Sequence, residues 1–248
     1  MGLFSFREHK YELIPRPRGK TGVIIAAAGS SSRMNRINKQ FLELGGMPVL
    51  ARSIRAFQYT DIISEIVVCV KREDIPRVRE MVEEYRFSKV RDVAAGGETR
   101  AQSVLNALEC VSEDIKYLAV HDGARPFVTS DEITRCALAC EEYGAAALAV
   151  PVKDTIKITD GQGFIVSTPD RETLRAVQTP QIFKLEDYKK AVRALGDSVS
   201  AYTDDCQLME QLGQRVFLVD GSYENIKITT PEDIPAAQAI LKNRGELK

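Results

Sequence analysis

Residues 21–34 read TGVIIAAAGSSSRM, and the triplet Asn38, Lys39, Gln40 follows closely. The run from Gly22 to Ala27 (GVIIAA) is apolar without interruption, as expected of a strand buried on both faces. The chain then leaves this strand through small residues, turns at Gly29 and three serines, and places two cations, Arg33 and Lys39, six residues apart. Alanine and glycine let backbone amides approach a ligand, and successive N–H groups in a turn form an anion nest. An arginine can give a phosphate two parallel hydrogen bonds, while a lysine supplies a mobile point charge. Taken alone, the stretch is read equally well as a polar turn with solvated cations.

Further along, short β-rich runs alternate with helical patterns. Strands are expected at 22–27, 65–70, 90–94, 117–121, 146–150 and 216–220. Helices are expected at 49–57, 75–85, 100–110, 131–143 and from Leu185. A last helix is expected from Thr230-Pro231-Glu232-Asp233, with Thr230 as cap and Pro231 in the first helical position. Apolar strands separated by helices predict an α/β fold with a mostly parallel sheet and helices on both faces. The alternation breaks between Pro151 and Phe183. Two short alternating strands joined by Asp160-Gly161-Gln162-Gly163 predict an inserted β-arm over about 151–177. Such an arm either folds back over a site or pairs with another subunit. Residues 1–20 are read as an N-terminal extension and 21–248 as one domain.

The 248 residues carry a net charge of −1, so the charge balance argues against a nucleic-acid surface. No apolar stretch approaches the ~20 residues that span a bilayer, and the N-terminus has no secretory h-region. The five cysteines include no CxxC pair, and His9 and His121 are the only histidines. Cys136 and Cys140, one helical turn apart, therefore make a poor zinc site, and a reducing, cytoplasmic compartment is expected.

In open α/β sheets ligands bind at the carboxyl ends of strands, and several polar stretches fall there. AGGETRAQSV (95–104) is a second glycine turn opening a helix. Gly97 leaves room for a flat ring and Ser103 offers a hydroxyl to a base, although Thr99 or Glu98 serving as a simple cap explains the stretch as well. HDGARP (121–126) puts Asp122 at a strand end, a natural partner for Mg²⁺ in phosphate chemistry. His121 and Asp122 do not make a hydrolase pair, because adjacent strand residues point to opposite faces. A Walker A loop, a dinucleotide fingerprint and a nucleophile elbow each fail on missing glycines around Gly29.

The ordered set AAAGSSSRM, NKQFLEL, GGETRAQSV, VHDGARP, PVKDTIK, TPQIF, TDD and NIKITTPED resembles the 2-C-methyl-D-erythritol 4-phosphate cytidylyltransferases over about residues 21–241. The resemblance implies a Rossmann-like nucleotidyltransferase fold. It also implies a homodimer in which each β-arm reaches over the partner's site. The implied reaction joins CTP and methylerythritol phosphate, with Mg²⁺, into a cytidine-diphospho alcohol and pyrophosphate for isoprenoid synthesis. Ribitol 5-phosphate is the alternative acceptor.

By the same resemblance, Arg33 and Lys39 are the catalytic cations on the triphosphate. Ala27, Ala28, Gly29, Ser30, Gly97, Arg100, Ser103, Asp122 and Gly123 hold the nucleotide, with Asp122 also near the metal, directly or through water. Thr155, Arg171, Thr179 and Lys227 surround the alcohol phosphate, Arg171 and Lys227 with catalytic roles. Ser31 and Ser32 stand where many relatives have a glycine, Gly123 replaces the commoner alanine, and Glu224 receives no role. A phosphate monoester is largely dianionic at neutral pH, with a second pKa near ~6, so its attack needs charge neutralisation rather than a general base.

Overall fold

The computed structural model describes residues 16–29 and 38–247. Along the first half run β1 (Lys20–Ala26), a small hairpin of β2 (Glu43–Leu44) and β3 (Met47–Pro48), α1 (Val49–Gln58), β4 (Ile63–Val70), α2 (Ile75–Glu84), β5 (Val90–Ala95) and α3 (Arg100–Leu108). The second half holds β6 (Ile115–Asp122), α4 (Ser130–Tyr143), β7 (Ala145–Pro151), β8 (Ile158–Thr159), β9 (Ile165–Ser167), β10 (Arg175–Lys184), α5 (Leu185–Leu195), α6 (Asp205–Gln211), β11 (Phe217–Asp220) and α7 (Asp233–Asn243). Seven strands form one sheet in the order β11-β7-β10-β6-β1-β4-β5. All neighbours are parallel except β10, which runs antiparallel to both β6 and β7.

The alternation of side chains along each strand divides the core between the two faces of the sheet. Val23, Ile25, Ile66 and Val68 pack on one face against Leu50, Ile54 and Phe57 of α1. Ile24, Val67 and Leu118 pack on the other against Val104 of α3 and Tyr188 of α5. Helices therefore cover both faces, as expected for near-continuous apolar strands. A smaller cluster joins Leu44 and Val49 to Phe127, Ile228, Ala237 and Leu241. It ties the β2–β3 hairpin and α7 to the turn after β6, which brings the Lys39 and Lys227 segments to one end of the sheet.

Two expectations are corrected. The break between Pro151 and Phe183 conceals a central strand, β10, which inserts between β6 and β7. Gln178-Thr179-Pro180 reads locally as a turn, and it is in fact an irregularity inside that strand: pairing with β7 stops at Val177 and resumes at Gln181. Proline has no N–H for a ladder, so it sits at such a break. The last helix begins at Asp233 rather than Pro231. The Asp233 carboxylate accepts the N–H groups of Thr229 and Thr230 at 2.7 and 2.8 Å, and so closes a separate turn ahead of the helix.

The β-arm is present as the β8–β9 hairpin, its turn held by Asp160, whose Oδ1 accepts the N–H groups of Gln162 and Phe164, both at 2.9 Å. Cys69, Cys136 and Cys140 are buried, burial pushes the Cys69 thiol up to about 12, and no group of three metal-ligating side chains occurs among the described residues.

Candidate active site

Register sets the level of the site. Ala26 of β1 lies opposite Cys69 of β4 and Asp122 of β6, so three strands end together. Beyond them the Ala27 N–H donates to the Cys69 carbonyl at 2.7 Å and the Gly96 N–H to the Val70 carbonyl at 2.7 Å. The loops after β1 and β5 then touch: a Cβ on Gly96 would lie 2.3 Å from Ala28 Cβ, so only glycine permits this approach. Above these strand ends opens a cleft of ≈ 550 Å³. Among the described residues Lys39, Lys71, Arg100 and Lys227 line it against Glu98 and Asp122, an excess of positive charge that suits a polyanion.

Asp122 is the electrostatic centre. Its side chain is 10% exposed, with Lys227 Nζ at 2.8 Å, Arg100 Nε at 3.4 Å and Arg125 Nε at 3.5 Å. Burial alone would raise its pKa, but Lys227, Arg100 and Arg125 together hold the carboxyl well below the usual carboxylate range. Arg100 is anchored from behind by Asp205 of α6, at 2.6 Å. Asp205 in turn accepts the Tyr188 hydroxyl at 2.7 Å, while its N–H donates to Gln181. Burial disfavours the Arg100 charge, and the two carboxylates more than restore it.

Beneath Asp122 runs a chain of neutral hydrogen bonds. The Asp122 N–H donates to Thr179 Oγ1 at 3.0 Å, and that hydroxyl lies 3.0 Å from His121 Nδ1. His121 Nε2 lies 3.1 Å from the Arg125 carbonyl, which can only accept, so Nε2 carries the proton and Nδ1 receives the Thr179 hydroxyl. Both ring nitrogens are occupied, and burial lowers the His121 pKa to about 4. His121 is thus a satisfied core residue that braces Asp122, unsuited to act as a base.

The structure gathers Ala28, Gly29, Lys39, Gly97, Arg100, Ser103, Asp122 and Lys227 around the cleft. Ala27 and Gly123 lie just under its floor. The Ser103 hydroxyl donates to the Thr99 carbonyl at 2.8 Å and accepts the Gly97 N–H at 3.0 Å, so it shapes the glycine turn. Thr99 caps α3 by accepting the Gln102 N–H at 3.0 Å. Thr179 is buried behind Asp122. Thr155 and Arg171 are exposed at the arm, away from the cleft lining, and Arg171 donates to the Lys153 carbonyl at 3.0 Å. Ser30 and Arg33, with the neighbouring Ser31 and Ser32, lie outside the described residues. Glu224 pairs with Arg244 at 2.8 Å, a structural tie to the C-terminal end of α7.

Lys71 and Tyr188 were not anticipated from the sequence, and Gln40 and Asp205 stood only within the NKQFLEL and TDD motifs, without a role. Lys71 directly follows the strand IVVCV, so the strand-end rule applied to β4 would have found it. Asp205 meets Arg100 across 105 positions, a pairing with no local signal.

Residues 21–243 match the family model described as 2-C-methyl-D-erythritol 4-phosphate cytidylyltransferase. The chain belongs to this family. It is 43% identical over 229 residues to the cytidylyltransferase of Alkaliphilus oremlandii (strain OhILAs), covering 92% of this chain and 97% of that one. It is 45% identical over 221 residues to that of Caldanaerobacter subterraneus subsp. tengcongensis, covering 88% and 97%. The crystal structure of a 4-diphosphocytidyl-2C-methyl-D-erythritol synthase from Anaerococcus prevotii DSM 20548 superposes with a TM-score of 0.81 at 32% identity, over 90% of this chain and 96% of that one. The cytidylyltransferase of Thermus thermophilus superposes with a TM-score of 0.74 at 31% identity, over 90% of this chain and 99% of that one. The Rossmann-like nucleotidyltransferase fold and the enzyme class follow from these matches, which do not favour the ribitol 5-phosphate alternative.

Proposed function

We infer that this cytidylyltransferase transfers CMP from CTP to 2-C-methyl-D-erythritol 4-phosphate, in the synthesis of isoprenoid precursors. The observation that carries the inference is the cation-rich cleft at the joined ends of β1, β4 and β6. A phosphate oxygen of the acceptor forms a new bond to the α-phosphorus of CTP, and the bond from that phosphorus to the bridging oxygen of the β-phosphate breaks, releasing pyrophosphate. The attacking phosphate, with a second pKa near ~6, needs no deprotonation at neutral pH. His121, the one histidine among the described residues, is correspondingly occupied elsewhere. What the site must supply is screening between two anions and stabilisation of the charge on the departing phosphates. Lys39, Lys227 and Arg100 stand in the cleft for this work, and Arg33 is assigned to it by family resemblance.

Two carboxylates, Asp122 and Glu98, line the cleft, and such a set fits Mg²⁺, which binds through substrate phosphates, waters and one or two carboxylates. Asp122 would hold the ion, and through water, because three cations already crowd the carboxylate. When bound, Mg²⁺ neutralises phosphate charge.

A homodimer completes the reading. Phe164, Ile165 and Val166 on the arm are 69%, 62% and 65% exposed, an apolar surface of the kind that a second copy would cover. Thr155 and Arg171, remote from the cleft of their own chain, would then serve the partner's. The free thiols suit a cytoplasmic enzyme, and no described helix is long and apolar enough to cross a membrane.

Substitution tests the charge roles. Lys39→Ala and Lys227→Ala are each expected to lower turnover about 10²–10³-fold in a pyrophosphate-release assay, and Lys227→Ala also to lower the thermal midpoint, because it takes from buried Asp122 its partner at 2.8 Å. Near-normal turnover in either variant removes that residue from the mechanism.

A further inference from the structure

Gln40 lines the cleft next to Lys39, yet it is only 3% exposed, and its Oε1 has no hydrogen-bond partner among the described residues. Buried amide oxygens are nearly always paired, so an orphan at a binding site calls for an explanation.

Its backbone is tied to its neighbours. The Gln40 N–H donates to Asn38 Oδ1 at 3.2 Å, and Asn38 Nδ2 donates to Asp74 at 2.9 Å. The next residue, Phe41, lies under the Arg77 guanidinium at 3.8 Å. On the inner side the amide oxygen meets Gly123. A Cβ there would sit 3.2 Å from Oε1 and 2.9 Å from Ala27 Cβ. The Gly123 N–H already donates to the Ala26 carbonyl at 2.9 Å, and its carbonyl accepts the Ser53 hydroxyl at 2.9 Å. Glycine at 123 thus leaves room for the amide while offering it no bond. An alanine there would press on both neighbours.

We propose that Gln40 is a substrate-binding residue whose side-chain amide pairs with a hydroxyl group that enters the cleft with a substrate. A hydroxyl donates to the amide oxygen when the terminal torsion turns Oε1 from Gly123 to the cleft, and a half-turn of that torsion is a soft motion. A phosphate oxygen only accepts and leaves Oε1 orphaned. Lys39 and Gln40 therefore divide the work: the cation takes phosphate and the amide takes a hydroxyl. The inference rests on the activity inferred above, under which hydroxyls arrive from two sources, the ribose of CTP and the polyol of the acceptor phosphate.

Gln40→Met keeps the length of the side chain and removes the amide. Binding of CTP, 2′-deoxy-CTP and 3′-deoxy-CTP is measured by calorimetry on the full chain. Binding of methylerythritol phosphate and its monodeoxy analogues is measured with a non-hydrolysable CTP analogue present. The variant is expected to bind one parent ligand about tenfold more weakly, the loss of a hydrogen bond. The wild type should lose the same factor on the analogue lacking the paired hydroxyl, and the variant should lose nothing more on it. The analogue that shows this pattern identifies ribose or polyol as the source. Parent ligands bound within about twofold of wild type, or deoxy losses that simply add to the mutational loss, overturn the proposal. Gln40→Leu carries the same expectation should the methionine variant not fold. Pyrophosphate release by the wild type is followed separately, so a failed activity and a failed hydroxyl contact give different results.

Discussion

His121 packs against Phe57 with ring centroids 4.8 Å apart, and its neutral form satisfies both Thr179 and the Arg125 carbonyl. An unfolded histidine titrates at ~6.5, whereas burial lowers the folded one to about 4. Between these values the unfolded chain binds the extra proton, so stability is full above pH ~6.5, falls as pH drops, and stops falling on this account below about pH 4. The slope is about 1.4 kcal/mol per pH unit for one proton. Asp122 acts in a lower window: its lowered pKa contributes stability above the unfolded value of ~3.9, and that contribution is lost as pH falls further. Urea unfolding of His121→Asn should show lower stability overall and a flatter profile between about pH 6.5 and 4. A profile as steep as wild type in that window would remove His121 as its cause. The presence of His121 and Asp122 at a strand end could be read from the chain. That the histidine braces the aspartate through Thr179 could not, because Thr179 lies 58 positions from His121 and arrives only through the central strand.

Among the elements, those built from continuous apolar runs were readable almost residue for residue. Val49–Gln58 and Val90–Ala95 fall within one residue of their expected bounds. β10 escaped detection because its pairing is entirely non-local and its middle, Gln-Thr-Pro-Gln, carries the chemistry of a turn. The arm was found from its Asp160-Gly161 turn, but the contact with a second copy that we propose for it has no signature in one chain. If the proposed dimer forms through the arm, Phe164→Asp is expected to shift the protein from dimer to monomer in sedimentation at micromolar concentration, because a charge would be placed in an apolar contact. The monomer's fold should survive, since the arm contributes nothing to the buried core clusters. Turnover should fall with dimerisation if Arg171 serves the partner's cleft. A variant that stays dimeric places the interface elsewhere.

At the scale of the whole molecule, function follows from where strands end. Polar segments far apart in the chain meet because parallel strands β1, β4, β5 and β6 all deliver their carboxyl ends to one side. The third core cluster then brings Lys227, on the chain segment before α7, to Asp122. Each motif alone was ambiguous, and their order along the chain was not. Asp205 stood in the TDD motif, but its pairing with Arg100 and Tyr188 could not be anticipated, since nothing local in the chain joins the three. The joining of CTP to methylerythritol phosphate in this cleft is tested by pyrophosphate release by the purified chain with Mg²⁺, offering methylerythritol phosphate or ribitol 5-phosphate against each of CTP, UTP, ATP and GTP. Rapid release with CTP and methylerythritol phosphate, and at most slow release with every other pairing, is the predicted result. Equal or faster release with ribitol 5-phosphate or another nucleotide, or none with the predicted pair, would contradict it.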